Sequence, residues 1–471
     1  MNNTDRSALS MCENPAVYFS YSLNEMYSLE PAELEQAQLE VLKIRFEQLR
    51  ERIPMLKTLI DRAGICAMDS IESVVPLLFD HTLYKSYPPS LLANSRFDAL
   101  TKWLNKLTTH DLSTVDVSAC KTIDEWIDTL DQQTPLLVGH SSGTSGTVSF
   151  LPLEKEDFRR AAACWPVEFL QEFGKPQTYF GECPNMHVVT FDYRRSRRTA
   201  GRYNDFIRDE LAGSEDHYHT LHPETMSADL MYLAGKMRAA QAQGSLDGLN
   251  INPALLERKE EFLRLKANEA TRIEPFFADI IEKYSGERVF ILSFTNIIYD
   301  IAKNATENGY SNLFAPDSVV FTSGGNKGET LPADWKETVK SLIGVERVAP
   351  AYGMSEIMGM MPMCSHDHYH FVPWIIPFVL DPDTGAVLPR TGKVTGRAAF
   401  FDLGAQSHWG GFVSGDEITV HWDQPCPCGM KGGYLEDNVV RYSEKRGGDD
   451  KITCAATADA HNDALEFLLE L

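Results

Sequence analysis

Seven consecutive residues, Ser141-Ser-Gly-Thr-Ser-Gly-Thr147, are all small or hydroxylic, and an apolar run leads into them. Two chemistries fit. Gly139-His140-Ser141-Ser142-Gly143 matches the nucleophile elbow G-x-S-x-G, with Ser141 activated by one of thirteen histidines. That elbow needs a helix directly after the serine. Gly143, Thr144, Ser145, Gly146, Thr147 and Val148, with Pro152 close behind, make a poor helix start. The other chemistry is a phosphate cradle, in which glycines let successive backbone N–H groups turn toward one centre and hydroxyls add donors. It is not a Walker A loop, because no G-x-x-x-x-G-K-[ST] occurs in the chain. A Ser/Gly-rich surface loop is the plain alternative.

Three later segments supply partners for a cradle. Val319-Val-Phe-Thr-Ser-Gly324-Gly325 reads as a strand ending in paired glycines, an edge that a flat ring can approach. In Pro350-Ala351-Tyr352-Gly353-Met-Ser355-Glu356, the tyrosine offers an aromatic face, the glycine a tight turn and the serine a hydroxyl. Glu356 adds a carboxylate suited to a hard cation. Ser414-Gly415-Asp416, placed before a predicted strand Glu417–Trp422, presents a carboxylate to two vicinal hydroxyls. Taken singly, Glu356 reads as a solvated loop carboxylate and Asp416 as a turn residue. Their joint order describes a nucleotide site: phosphate cradle, ring platform, magnesium carboxylate and ribose carboxylate.

In these segments the sequence resembles the adenylate-forming superfamily of acyl-CoA synthetases, peptide-synthetase adenylation domains and luciferases. Ser141–Thr147 resembles its phosphate-binding signature, Ala351-Tyr-Gly-Met-Ser-Glu356 its aromatic–Gly–x–Thr–Glu motif, and Ser414-Gly-Asp416 its Thr-Gly-Asp. Arg446-Gly-Gly-Asp449-Asp450-Lys-Ile452 is similar to its hinge motif Gly-Arg-x-Asp-Asp-x-Ile, with Arg446 one position early. Tyr84-Lys-Ser-Tyr-Pro and Cys426-Pro-Cys-Gly429 are similar to the phenylacetate–CoA ligase branch. That branch includes the acyl-protein synthetase of bacterial luminescence and an adenylating protein of phenazine-antibiotic biosynthesis. Val148-Ser149 stands where many relatives carry a lysine, and about twenty residues follow the hinge-like motif, where relatives carry a longer mobile lobe with a catalytic lysine.

The resemblance implies an α/β large domain of mixed sheets flanked by helices, with the C-terminal lobe truncated or absent. Its divisions would be a helical part at 1–130, the core at 131–446, and a hinge-like motif with a short tail at 447–471. It implies ATP- and Mg2+-dependent activation of a carboxylic acid, aromatic or otherwise bulky, to an acyl-adenylate with release of pyrophosphate. Ser141, Ser142, Gly143, Thr144, Ser145, Gly146 and Thr147 would hold the phosphates, and Gly324, Gly325, Ala351, Tyr352 and Gly353 the adenine. Asp416 would bind the ribose, Ser355 would contact the α-phosphate and Glu356 would hold Mg2+. Arg446 would complete the nucleotide set, and Phe294, Asn296 and Tyr299 would face the acid. The acceptor would be CoA, an amino acid or a carrier protein. Rival readings are a complete thioester- or amide-forming ligase, a serine hydrolase built on Ser141, and a nucleotide-binding protein without catalysis.

A second constellation lies apart from these motifs. Cys364, His366, His368, His370, Cys426 and Cys428 form two clusters about sixty residues apart, and thiolate with imidazole suits a tetrahedral structural Zn2+ drawn from Cys364, His370, Cys426 and Cys428. Alternate histidines also fit one strand face. Arg194, Arg195, Arg197, Arg198 and Arg202 stand out in an acidic chain and fit either an anionic acceptor such as CoA or ordinary ion pairs. Cys454 in the tail is an ordinary cysteine or an acyl acceptor.

Elements must position these residues. Leu39, Leu42, Phe46, Leu49 and Ile53 recur at helical spacing with Pro54 closing the run, and Asn252-Pro253 starts a second helical pattern. Met186–Phe191, Val289–Phe294, Val319–Thr322 and Ile418–Trp422 read as strands, so the alternation predicts an α/β fold. The chain has 471 residues, enough for one large composite domain or two to three units, and a net charge of −23. Such a field repels duplex nucleic acid and anionic membrane. Nine cysteines are too sparse for a disulfide scaffold. With no signal segment or membrane-spanning run in view, the expectation is a cytoplasmic monomer or homodimer.

Overall fold

Runs of Val, Ile, Phe and Tyr alternate with helices along most of the chain, and the strands form where those runs lie. The computed structural model describes residues 7–141, 147–179, 183–242, 244, 251–269, 272–323 and 331–442. In chain order the described strands are β1 (Phe79–Asp80), β2 (Gly139–His140), β3 (Phe150–Leu151), β4 (His187–Ser196), β5 (Tyr218–Met226), β6 (Val289–Phe294), β7 (Val319–Ser323) and β8 (Val348–Tyr352). They continue with β9 (Met361–Pro362), β10 (His368–His370), β11 (Ile375–Leu380), β12 (Lys393–Asp402), β13 (Gly411–His421), β14 (Tyr434–Glu436) and β15 (Val440–Arg441).

One sheet has the order β5-β4-β6-β7-β8-β9, parallel throughout except for β9. Successive side chains point to opposite faces, so both faces of these apolar strands are covered. Val188, Phe290 and Phe321 pack with Trp165, Phe169 and Tyr203 on one side. Val189, Ile291, Val320 and Val348 pack on the other against Ile280, Ile298, Ala302, Val339 and Leu342, carried by helices Ile273–Tyr284, Thr295–Glu307 and Trp335–Ile343. Because β5 and β6 flank β4 on opposite sides, the strand order reverses beside β4. In open α/β sheets the crevice outside the carboxyl ends at such a reversal is where ligands bind. The same edge carries Phe294, Ser323 and Tyr352, the last residues of β6, β7 and β8.

The second sheet runs β10-β14-β13-β12-β11, with β1 and β15 also on β13. Here the expectation for Asp416 is corrected. Ser414, Gly415 and Asp416 do not precede a strand but lie inside β13, opposite a register shift between Arg397 and Ala399 of β12. Such a bulge re-aims side chains locally.

Residues 7–130 are helical apart from β1, which pairs with β13 and ties this part to the second sheet. The predicted helical run ends earlier than its spacing suggests. Helix Pro31–Leu49 stops at Leu49, and Pro54 opens a separate helix, Pro54–Ala63, because a first-turn proline has no N–H that the helix would use. Asn252 caps helix Pro253–Glu257, its side chain accepting from Ala254 N at 3.0 Å. Among the described residues no helix is long and apolar enough to cross a membrane.

Candidate active site

The glycine-rich stretch leaves β2, which pairs antiparallel with β3. The two strands are drawn together beyond their ends, with Ser141 N donating to Ser149 O and Ser149 N to Ser141 Oγ, both at 3.0 Å. A nucleophile elbow needs a helix directly after the serine, a stretch that lies outside the described residues. Ser142, Gly143, Thr144, Ser145 and Gly146 lie outside the described residues; Thr147 is half-buried at the returning arm. His140 is buried, donates Nδ1–H to Ser141 O at 2.8 Å, and burial holds its pKa down to about 4, so it is neutral.

The arginine run anchors this strand pair. His140 N donates to Arg197 O at 3.1 Å, and Arg202 Nη2 reaches Val138 O at 2.9 Å and Asp131 at 2.6 Å. Arg197 holds Asp124 and Asp128 at 2.9 and 2.6 Å, Arg194 holds Glu215 and Asp205 at 2.6 and 2.8 Å, and Arg198 pairs with Asp192. Four of the five guanidinium groups are thus paired within the fold and Arg195 is exposed, which is the ordinary ion-pair reading of the run rather than the anion-receiving one. Gly139 makes the packing possible, since a Cβ there would lie 2.4 Å from Thr199 Oγ1.

Tyr352 closes β8, and its Oη donates to Asp416 Oδ2 at 2.8 Å. Asp416 N donates to Ser414 Oγ at 3.0 Å, and Arg441, in register opposite Asp416 across β13 and β15, brings Nε to 3.8 Å from Oδ1. Burial, then the neighbouring Asp416 charge, pushes the Tyr352 hydroxyl well above its ordinary pKa, so it stays a donor. The ring is flanked by Tyr369 and Phe400 at 6.1 Å each.

Ser355 and Glu356 follow in a turn, both half-buried. Protein crowds Glu356 closely enough that burial raises its pKa to about 7, with Asp416 adding repulsion and Arg441 and His81 opposing. Glu356 also acts electrostatically on buried Tyr84, whose Oη donates to Trp409 O at 3.4 Å. Ala351 is buried in the core and Gly353 is exposed. Gly324, Gly325 and Arg446 lie outside the described residues, as do Asp449, Asp450 and Cys454.

Phe294 ends β6 with the Arg198 guanidinium 4.9 Å from its ring centre. Asn296 and Tyr299 sit in the first turns of helix Thr295–Glu307; Asn296 is buried, and its Oδ1 has no partner among the described residues. Away from this edge, Cys364, His370, Cys426 and Cys428 come together, with ligand atoms all within 4.8 Å of one another; His366 and His368 are not part of that quartet. Sequence reasoning passed over His81 and Arg441. Each is an ordinary charged residue with no local motif, and only strand register brings Arg441 opposite Asp416. Tyr84 was visible only as part of a branch-like segment.

No family model matches the sequence, and no curated protein matches it. Among solved structures the chain is similar to 2-hydroxyisobutyryl-CoA ligase in the postadenylation state in complex with R3-HIB-AMP. The TM-score is 0.52 at 15% identity, over 88% of this chain and 69% of that one. An open conformation of that ligase in complex with 2-HIB-AMP and CoA gives 0.47 at 14% identity, over 90% and 76%. ATP-bound MatB from Rhodopseudomonas palustris gives 0.36 at 13% identity, over 84% and 73%. At such identities the first likeness is one of architecture. The chain has the mixed α/β fold of adenylate-forming acyl-CoA ligases.

Proposed function

We infer that the chain activates a carboxylic acid with ATP. The acid's carboxylate oxygen attacks the α-phosphorus, a new O–P bond forms as the bond to the β-phosphate bridge breaks, and acyl-adenylate and pyrophosphate result. The observation that carries this reading is the pairing of Tyr352 with Asp416 beside Glu356, at the carboxyl edge of the parallel sheet. A likeness of fold to a ligase captured in its postadenylation state supports it.

Catalysis here is alignment and charge neutralisation. Tyr352 stacks on adenine, Asp416 accepts from the ribose hydroxyls, and Ser355 contacts the α-phosphate. Residues 141–147 receive the phosphate tail, held by the strand pair that Arg197 and Arg202 anchor. Glu356 fits a hard cation, because a carboxylate that burial and Asp416 hold protonated to about pH 7 gains most from a neighbouring positive charge. Mg2+ bound there would neutralise phosphate oxygens. Phe294, Asn296 and Tyr299 face an aromatic or otherwise bulky acid, and CoA, an amino acid or a carrier protein receives the acyl group in a biosynthetic step.

The test is ATP–pyrophosphate exchange against a panel of aromatic and aliphatic acids, with Glu356→Gln as control. Exchange that depends on one acid and collapses in the variant supports adenylation and names the acid. ATP binding without exchange for any acid overturns it in favour of a nucleotide-binding protein without catalysis. Ester hydrolysis that Ser141→Ala abolishes, with no ATP binding, restores the hydrolase.

A further inference from the structure

Cys364, His370, Cys426 and Cys428 come from two stretches about sixty residues apart, yet one ligand atom of each lies within 4.8 Å of all the others. Cys364 follows β9 at the edge of the parallel sheet, His370 ends β10 in the second sheet, and the two other cysteines lie in the connection from β13 to β14. Cys364 Sγ and Cys426 Sγ are 3.8 Å apart, and Cys428 Sγ is 3.4 Å from His370 Nε2. The backbone N–H groups of His366 and Met430 point at Cys364 Sγ and Cys428 Sγ, each at 3.4 Å, and His368 Nδ1 is 3.3 Å from Cys426 Sγ. Just past the Cys426-Pro-Cys428 pair, Gly429 takes φ +91° and donates its N–H to Cys426 O at 3.0 Å, closing a tight turn around the two cysteines.

We propose that these four residues bind one Zn2+ and that Tyr27 orients its histidine ligand. Three thiolates and an imidazole form a tetrahedral set of the donors zinc prefers, and with all four positions taken the ion is structural. It joins the edge of one sheet to the other, where β9 and β10 would otherwise meet through few bonds.

Three orphaned atoms extend the site inward. His370 Nδ1, Tyr27 Oη and Glu168 Oε1 are all buried without a hydrogen-bond partner among the described residues. The Tyr27 and His370 rings meet edge-on with centres 5.8 Å apart, and Glu168 is the strongest charged neighbour of the Tyr27 hydroxyl. Metal on Nε2 fixes the proton on Nδ1, which then needs an acceptor. The three atoms do not bond one another in this structure; with the metal bound, a line from Nδ1–H to Oη, and from O–H to Glu168, would satisfy them.

The full chain, purified without chelator, should retain one equivalent of zinc. After stripping, Co2+ alone should produce thiolate charge-transfer and tetrahedral d–d absorption that Zn2+ abolishes. Cys428→Ser should lose that spectrum, while Cys66→Ser, an exposed cysteine elsewhere, should keep it. If Cys428→Ser fails to fold, thiol labelling of the wild-type chain decides, since Zn2+ should shield Cys364, Cys426 and Cys428 together. Tyr27→Phe should weaken zinc by roughly tenfold in competition with a chromophoric chelator. A folded wild-type chain with no zinc, no cobalt spectrum and no shielding overturns the site; unchanged affinity in Tyr27→Phe overturns the role of Tyr27. None of these readouts uses acid activation, so the site stands or falls apart from that reading.

Discussion

Tyr352 Oη donates a 2.8 Å hydrogen bond to Asp416 Oδ2, linking the last residue of a parallel strand to the middle of an antiparallel one. The bond joins the two sheets and, in the proposed function, holds the aromatic platform and the ribose carboxylate at a fixed separation. Tyr352→Phe keeps the ring and deletes the bond, which for a charged acceptor contributes about 1.5–3 kcal/mol. ATP affinity should fall by roughly tenfold or somewhat more, on the scale where about 1.4 kcal/mol is tenfold. Calorimetric titration of Tyr352→Phe, Asp416→Asn and the double variant checks this. The two losses should be strongly non-additive, and simple additivity would mean that the residues act separately.

Glu356 should make cation-assisted nucleotide binding pH-dependent. Its folded pKa is raised to about 7, first by burial and then by Asp416. The free protein therefore keeps this carboxyl's stability contribution below the ordinary carboxylate range and loses it as pH rises through about 7. A cation needs the ionised form, so Mg2+–ATP affinity should climb across that same interval. Titrations at about pH 6 and about pH 8, either side of that value, should differ in the wild-type chain and converge in Glu356→Gln.

Asp124 and Asp229 cap each other's helices. Asp229 accepts from Ile123 N and Asp124 N at 2.8 and 2.9 Å, while Asp124 accepts from Ala228 N at 2.8 Å and Ser227 Oγ at 2.6 Å. Asp124 also faces Arg197 and Arg258, so it carries the charge, and burial with Asp124 nearby raises Asp229 to about 7. Asp124→Asn leaves two guanidinium groups short of a partner and should cost about 3–5 kcal/mol. Asp229→Asn removes mainly cap bonds and should cost about 0.5–2 kcal/mol. Urea unfolding near neutral pH ranks them. Wild-type stability from Asp229 should fall as pH rises through about 7, and the Asn variant should lack that slope.

Gly139→Ala should loosen the packing of β2 and, on the proposed function, the phosphate-binding stretch that follows it. The new methyl meets Thr199 Oγ1 at 2.4 Å, and overpacking of this kind costs about 1–3 kcal/mol. With Thr199→Ala added, the nearest surviving atom lies at 3.3 Å, so the double variant should recover most of the lost melting temperature and nucleotide affinity. No recovery would place the damage elsewhere than at Thr199.

Local chemistry made part of this protein legible in its sequence. Glycines, hydroxyls and carboxylates at 141–147 and 351–356 show in their types which chemistry they could offer, and apolar runs such as Val289–Phe294 form strands wherever two faces are covered. Prolines were less informative, since Pro54 starts a helix as well as following one. The cysteines and His370 showed their donor types and two-cluster spacing in the sequence, which suggested one tetrahedral set, and packing brings those same four together.

Tertiary structure decided the rest, through contacts between residues far apart in the chain. Asp416 finds Tyr352 across 64 positions because a bulge in the middle of β13 turns it inward, where sequence alone suggested a turn. Strand register put Arg441 opposite Asp416. The arginine run fitted an anionic acceptor or ordinary ion pairs, and the fold decides for ion pairs, because buried guanidinium groups must be paired and Asp124, Asp128, Asp131 and Asp192 are at hand. Residue types along the chain determine which chemistry is available; the packing of the two sheets determines which of those groups meet.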